Sequence, residues 1–116
     1  LIEVVEGSGV QGVLYADKIP VLDHVWHYLE KDCVPGGTKN NFKSYGHKLP
    51  EMPESWRHLL CDPQTSGGLL VAVDNTAVEA FLDVAKSEGL ALEPIGYTRP
   101  MPEGKHPLIE VHYGQD

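Results

Sequence analysis

The sequence predicts an α/β or α+β domain, and three kinds of stretch carry that prediction. Residues 68–73 form an unbroken apolar run behind a polar, glycine-ended loop, the pattern of a strand covered on both faces. Residues 10–15 carry the β-branched and aromatic side chains of a second strand. Residues 20–32 and 76–89 place apolar side chains at helical spacing. A chain of 116 residues with 41% hydrophobic and 22% charged residues is long enough to bury one core, so 1–116 reads as a single domain of ordinary globular composition.

Taken in order, residues 1–6 followed by Gly7-Ser8-Gly9 read as the last turn of a helix closed by glycine, the residue that most easily takes a left-handed cap. In the strand at 10–15, Gly12 suggests a bulge or a close neighbour. The helix at 20–32 has Pro20 in its first turn and Leu22, Val25, Trp26, Leu29 and Cys33 on its inner face. Residues 34–53 show no sustained apolar period and read as a long ordered loop, which is often functional. Residues 53–60 fit a short helix entered at Pro53, with Trp56, Leu59 and Leu60 facing inward.

After the apolar run, Thr76-Ala77-Val78-Glu79 matches a capping box. The helix it opens buries Val78, Phe81, Leu82 and Ala85 and stops at Gly89. Residues 90–97 read as a strand interrupted by Pro94, 98–107 as a turn, and 108–113 as a last strand with Ile109, Val111 and Tyr113 on one face.

A formal net charge of −8 disfavours nucleic acid and anionic membrane as partners. The two cysteines, Cys33 and Cys61, lie far apart in no CxxC pattern, so neither a disulfide scaffold nor a zinc site is signalled, and both read as core-filling thiols. With no signal-peptide pattern and no apolar run near the ~20 residues that span a bilayer, the chain reads as cytoplasmic. It begins at Leu1 rather than Met, as an excised segment would.

Two strings carry chemistry. Gly36-Gly37-Thr38 after Pro35 can present successive N–H groups and a hydroxyl to an anion, with Lys39 adding charge and Asn41 bonding back to hold the loop. As a plain Gly-Gly turn after a helix, the same residues need no ligand. Asp62-Pro63-Gln64-Thr65-Ser66-Gly67-Gly68 sets a carboxylate, an amide and two hydroxyls ahead of two glycines that admit a close approach; it also fits an Asx or Ser/Thr turn feeding a strand. Ser66 lies in no nucleophile elbow. His24 and His27 lie three apart on a helix, yet no third ligand accompanies them, and no catalytic or metal-ligating residue emerges.

The strings V-P-G-G-T-x-x-N at 34–41 and D-P-Q-T-S-G-G-L-L at 62–70, with Ser8-Gly9-Val10, Ile19-Pro20 and Ile95-Gly96 in matching order, resemble the C-terminal domain of the bacterial selenophosphate synthetase (selenide, water dikinase) family. That family sits in the AIR-synthase-like superfamily. The resemblance implies a mixed sheet with packed helices, of partly ferredoxin-like topology, in a fragment of a two-domain enzyme that dimerises through its N-terminal domain. It implies synthesis of selenophosphate from selenide, ATP and water, with Mg²⁺. In such enzymes the reactive Cys or selenocysteine, its Lys partner and the magnesium-binding aspartates lie in the N-terminal domain or the segment joining the two. No catalytic residue is carried over here, and the fragment alone is expected to be inactive and to hold no cofactor of its own. Gly36, Gly37, Thr38, Asn41, Asp62, Gln64, Thr65, Ser66, Gly67 and Gly68 are expected to face the inter-domain cleft as nucleotide-binding loops. The alternative is a non-catalytic module of the same fold that binds a phosphorylated ligand or a protein.

Overall fold

A computed structural model describes residues 1–64 and 67–114. The expected α+β class holds: among these residues five α-helices accompany a three-stranded mixed sheet. The first helix, α1 (Ile2–Ser8), ends as the sequence predicts, with Gly9 left-handed at φ 68° and its N–H returning to the carbonyls of Glu6 and Val5. It leads into β1 (Val10–Tyr15), the central strand. On one side β1 pairs antiparallel with β2 (Gly96–Pro100); on the other it pairs parallel with β3 (Ile109–His112). Successive side chains of a strand point to opposite faces. The register Gly12↔Ile109 and Leu14↔Val111 therefore puts Ile109 and Val111 on the face that receives α1, where Val5 and Ile109 are buried. The atoms nearest a Cβ on Gly12 would be side-chain ones, Ile109 Cδ1 at 3.0 Å and Val5 Cγ1 at 3.3 Å, so the close neighbour is not a backbone, and the pairing with β2 runs through Gly12 without a bulge.

The opposite face carries a polar row. Gln11 is 1% exposed, donates through Nε2 to the carbonyl of Pro107 at 2.9 Å and accepts from Arg99 Nε at 2.9 Å. Arg99 in turn donates to Glu110, whose other oxygen meets His112 Nε2 at 2.7 Å. Local sequence gives no hint of this row, because its members come from three strands and only the register aligns them.

Several expectations need correction. Residues 34–53 are not a loop: α3 (Gly36–Tyr45) and a 3-10 turn (Gly46–Lys48) occupy most of the segment. The inward face of α3 is Thr38, Asn41, Phe42 and Tyr45, a helical spacing that apolar counting misses because half of it is polar. The helix α2 is confined to Val25–Glu30. Leu22 is 83% exposed and Cys33 is also exposed, since His24 and Asp32 take positive φ and turn the chain at either end. Within α2, Trp26 does find a partner, meeting Trp56 edge-on at 4.8 Å, and Trp56 continues the stack to Tyr113. Trp56 belongs to α4 (Glu54–Leu60), which starts behind Pro53 as predicted.

The apolar run at 68–73 forms no strand, and Leu69 is 95% exposed. Hydrophobicity favours burial, but a strand also needs a neighbouring edge in register, and 68–73 pairs with neither outer edge of the described sheet. Residues 90–95 likewise carry no strand; pairing starts at Gly96 and runs to Pro100, where a missing N–H is tolerated on an edge strand.

The helix α5 (Val78–Ser87) ends on Gly89 in a Schellman arrangement, Gly89 N–H to Lys86 and Leu90 N–H to Ala85. Of its expected inner face, Ala85 is buried, Val78 and Leu82 are half-buried, and Phe81 is exposed. The capping box is replaced by an earlier cap. A 3-10 turn (Asn75–Ala77) precedes α5, and Asp74 takes both the Thr76 N–H at 2.9 Å and the Thr76 hydroxyl at 2.6 Å. These bonds hold the Asp74 carboxyl below its ordinary value of 3.8. A lowered folded pKa means the cap contributes above pH 3.8 and is lost as pH falls through the lower, folded value. The Thr76 amide resonance is therefore expected to titrate with a midpoint under 3.8 and to stay flat in Asp74→Asn; a midpoint above 3.8 contradicts the cap.

No helix among the described residues is long and apolar enough to cross a membrane.

Candidate functional site

The two glycine-rich strings, 24 residues apart at Thr38 and Asp62 and read separately in the sequence, meet in space. Pro35 is extended and turns the chain into α3, so Gly36, Gly37 and Thr38 form the first turn of a helix rather than a loop nest. The missing Cβ of Gly37 leaves room for the ring of Pro63: a Cβ there would stand 3.0 Å from Pro63 Cγ and 3.3 Å from Pro63 Cβ. Asn41, one turn further on, does not bond back to its own segment as expected. Its Nδ2 donates to the carbonyl of Cys61 at 2.9 Å and fixes α3 against the exit of α4. The Arg57 guanidinium lies over the Phe42 ring at 4.6 Å and packs the same two helices together.

Asp62 and Gln64 stand next to this corner, joined by a hydrogen bond of 3.3 Å from Gln64 Nε2 to Asp62 Oδ2. A side chain at Gly67 would collide with the Gln64 amide, whereas Gly68 is open. The predicted residues Thr65 and Ser66 lie outside the described residues. Thr38 is fully enclosed at 1% exposure, and its Oγ1 has no hydrogen-bond partner. Of the expected site residues, then, the structure brings Gly37 and Asn41 into contact with the 61–63 turn, and sets Gly36 at the open end of α3.

Cys61 is buried as predicted, and burial pushes its thiol above its ordinary value, opposed by the neighbouring Arg57 charge. This is an unreactive thiol, not a nucleophile. Cys33, by contrast, is exposed rather than core-filling. His24 and His27 share no helix face, because α2 starts only after His24. Among the described residues no three His, Cys, Asp or Glu side chains converge to hold a metal ion.

Since the bond from Asn41 to the Cys61 carbonyl is the single described side-chain hydrogen bond from α3 to the turn that opens the second string, its loss is expected to be costly. Asn41→Leu leaves the Cys61 carbonyl without its donor and is expected to cost about 1–3 kcal/mol. Denaturant unfolding of the chain checks this, and an unchanged midpoint would contradict the clamp.

No family model matches the chain. Whole-sequence comparison does find relatives. The chain is 50% identical over 103 residues to a selenide, water dikinase of Haemophilus influenzae, covering 89% of this chain and 30% of the relative. It is 45% identical over 111 residues to the selenide, water dikinase of Cronobacter sakazakii, covering 96% of this chain and 32% of that protein. With the Aeromonas hydrophila protein of the same name it shares 53% identity over 96 residues, 83% of this chain and 28% of the relative. The chain thus spans only about 30% of the length of the curated relatives it matches. By this similarity, which runs over nearly all its residues, the chain belongs to the selenide, water dikinase family, as a segment of that shorter length.

Proposed function

We propose that this chain works as the C-terminal domain, residues 1–116, of an enzyme that makes selenophosphate from selenide, ATP and water, releasing AMP and phosphate. In that reading it docks on its own N-terminal domain within a cytoplasmic homodimer and forms one wall of the cleft between the domains. Transfer of a phosphoryl group rests on positioning and on spreading charge rather than on covalent chemistry by the protein. A wall contributes to such a reaction by donating hydrogen bonds, orienting groups and excluding water. The corner where α3 meets the 61–64 turn has the equipment: helix N–H groups, the Gln64 amide and an open glycine, Gly36. Thr65, Ser66, Gly67 and Gly68 follow Gln64 in sequence.

The family's ATP and Mg²⁺ belong to the whole enzyme. The described residues supply no converging set of ligands for Mg²⁺, so no step is assigned to a metal held by this chain.

The observation that carries the reading is the clamp from Asn41 to Cys61, because it turns two distant strings, both in the part of the chain matched by the dikinases, into one surface. The test is a chimera in which residues 1–116 replace the matching segment of the Haemophilus influenzae relative. ³¹P NMR with ATP and selenide is expected to show selenophosphate. A folded chimera that consumes no ATP and forms none would sink the proposal.

A further inference from the structure

We infer that residues 67–95, an arm built on α5, form the surface by which this chain docks on the rest of a dikinase polypeptide, and that the face covering the arm has an apolar centre and a basic rim. The assignment rests on the proposed function, which places the chain in a longer enzyme, and adds to it the element that makes the contact.

An amphipathic helix owes most of its stability in a protein to tertiary packing of its apolar face. Yet neither a strand nor another α-helix packs on α5 with more than a stray contact. Both roots of the arm are held. Ahead of it the Cys61 carbonyl takes Asn41 Nδ2 at 2.9 Å; at its far end the Ile95 carbonyl takes Tyr15 N–H at 2.7 Å and Lys18 reaches Glu93 at 3.5 Å. Among the described residues no hydrogen bond links 67–92 to the rest of the chain. The apolar side chains between the roots stay in solvent. Leu69, Leu70 and Val71 are exposed ahead of α5, and Leu90 and Leu92 behind it. On the helix, Phe81 and Val84 are exposed three residues apart, the spacing that puts side chains on one face. On another side of α5, Leu82 and Lys86 line a hollow of about 400 Å³ with Leu90 and Leu92. Single exposed apolar residues are ordinary, but so many gathered in one arm mark a contact surface.

Charge, length and position select the occupant. The arm carries Asp74, Glu79, Asp83, Glu88 and Glu93 against one base, Lys86. A second copy laid on it about a two-fold axis would bring two acidic rims together, and an anionic membrane would be repelled as well. A face rimmed by Lys or Arg is the complementary one. The chain matches 30–32% of the length of its relatives, so more than two thirds of such a polypeptide lies outside it. A partner joined through the same polypeptide meets the arm at high effective concentration and needs little affinity of its own. The arm also follows Asp62 to Gln64 closely in sequence. Docking there seats the rest of the enzyme beside the corner proposed as the cleft wall, and a cleft between two domains opens next to the place where they touch.

Hydroxyl-radical footprinting of the free 116-residue chain and of the chimera with the Haemophilus influenzae relative reads side-chain cover directly. Leu69, Phe81, Leu90 and Leu92 are expected to be oxidised freely in the chain and several-fold less in the chimera. Leu22, 83% exposed and outside the arm, is expected to keep its reactivity in both. The free chain is expected to sediment as a monomer. Val84→Glu is expected to leave the melting temperature of the free chain unchanged, because Val84 is 63% exposed, and to restore most of the lost oxidation of Phe81 in the chimera. Equal oxidation of the arm in chain and chimera, a fall at Leu22 as large as the fall in the arm, or cover that survives Val84→Glu would each overturn the docking surface. So would a free chain that dimerises and shields the same side chains, since the occupant would then be a second copy. A chimera that makes selenophosphate with its arm open removes the docking surface and leaves the proposed function standing; one that shields the arm yet makes none removes the proposed function alone.

Discussion

Gly96→Ala is expected to abolish cooperative folding of this chain. A Cβ at that position would fall onto the backbone oxygen of Val13, with the Val13 carbonyl carbon at 3.1 Å and Leu14 Cα at 3.2 Å. These are backbone atoms of the central strand, and no rotamer change moves them aside. Relief requires β2 to separate from β1 at the Leu14↔Gly96 pair, next to the 2.7 Å bond from Tyr15 N–H to the Ile95 carbonyl. Overpacking in a core that can adjust costs about 1–3 kcal/mol. A clash between paired backbones exceeds that range and takes up much of the roughly 5–15 kcal/mol that holds a domain folded. The control is Gly7→Ala, inside α1 and with nothing within 4 Å of its Cβ position, which is expected to stabilise by about 0.5–1 kcal/mol. Urea unfolding followed by circular dichroism reads both. A Gly96→Ala protein with the parent's midpoint would show that β1 and β2 do not pair in this register.

The second large effect is expected at Gln11. Its amide answers two groups at once, the Pro107 carbonyl and Arg99 Nε, and it is 1% exposed, so water cannot take its place. Gln11→Leu roughly keeps the volume and takes the donor from the Pro107 carbonyl, while Arg99 keeps Glu110 and solvent, at a cost of about 1–3 kcal/mol. Much of the outer row, Arg99 with Glu110 and Glu110 with His112, is open to solvent and adds little by itself. The buried amide is therefore the costly member, and the pairing it makes with Arg99 is measurable as a coupling. A double-mutant cycle of Gln11→Leu with Arg99→Met is expected to be non-additive by about 0.5–3 kcal/mol. Strict additivity would mean that the two side chains do not act together.

How far the fold was legible follows the kind of signal each element used. The glycine stop of α1, the Pro53 start of α4 and the Gly89 stop of α5 depend on backbone conformation at single residues, and those were readable. The β-branched and aromatic residues of β1 and the alternation of Ile109 and Val111 in β3 were readable for the same local reason. α3 was hidden because Thr38 and Asn41 occupy its inward face, and an inward polar residue, such as Asn41 with its bond to the Cys61 carbonyl, looks in sequence like one facing solvent. At 68–73 the error ran the other way: Leu69, Leu70 and Val71 signal burial, yet partner and register are non-local properties that an apolar run does not encode.

The candidate site divides along the same line. Gly36 to Asn41 and Asp62 to Gly68 stood out as strings rich in glycine and polar side chains, and the relatives matched over these residues bear out the family they suggested. What no string contains is that Gly37 lodges against Pro63 or that Asn41 reaches Cys61, since both depend on α3 being a helix.

The central claim is that these two strings form one corner, and an NOE experiment on the ¹³C,¹⁵N-labelled chain tests it most directly. Cross-peaks are expected between the Gly37 Hα protons and the Pro63 ring, and between the Asn41 side-chain amide and the Cys61–Asp62 backbone. A folded chain with α3 and α4 formed but neither set of cross-peaks would contradict the account.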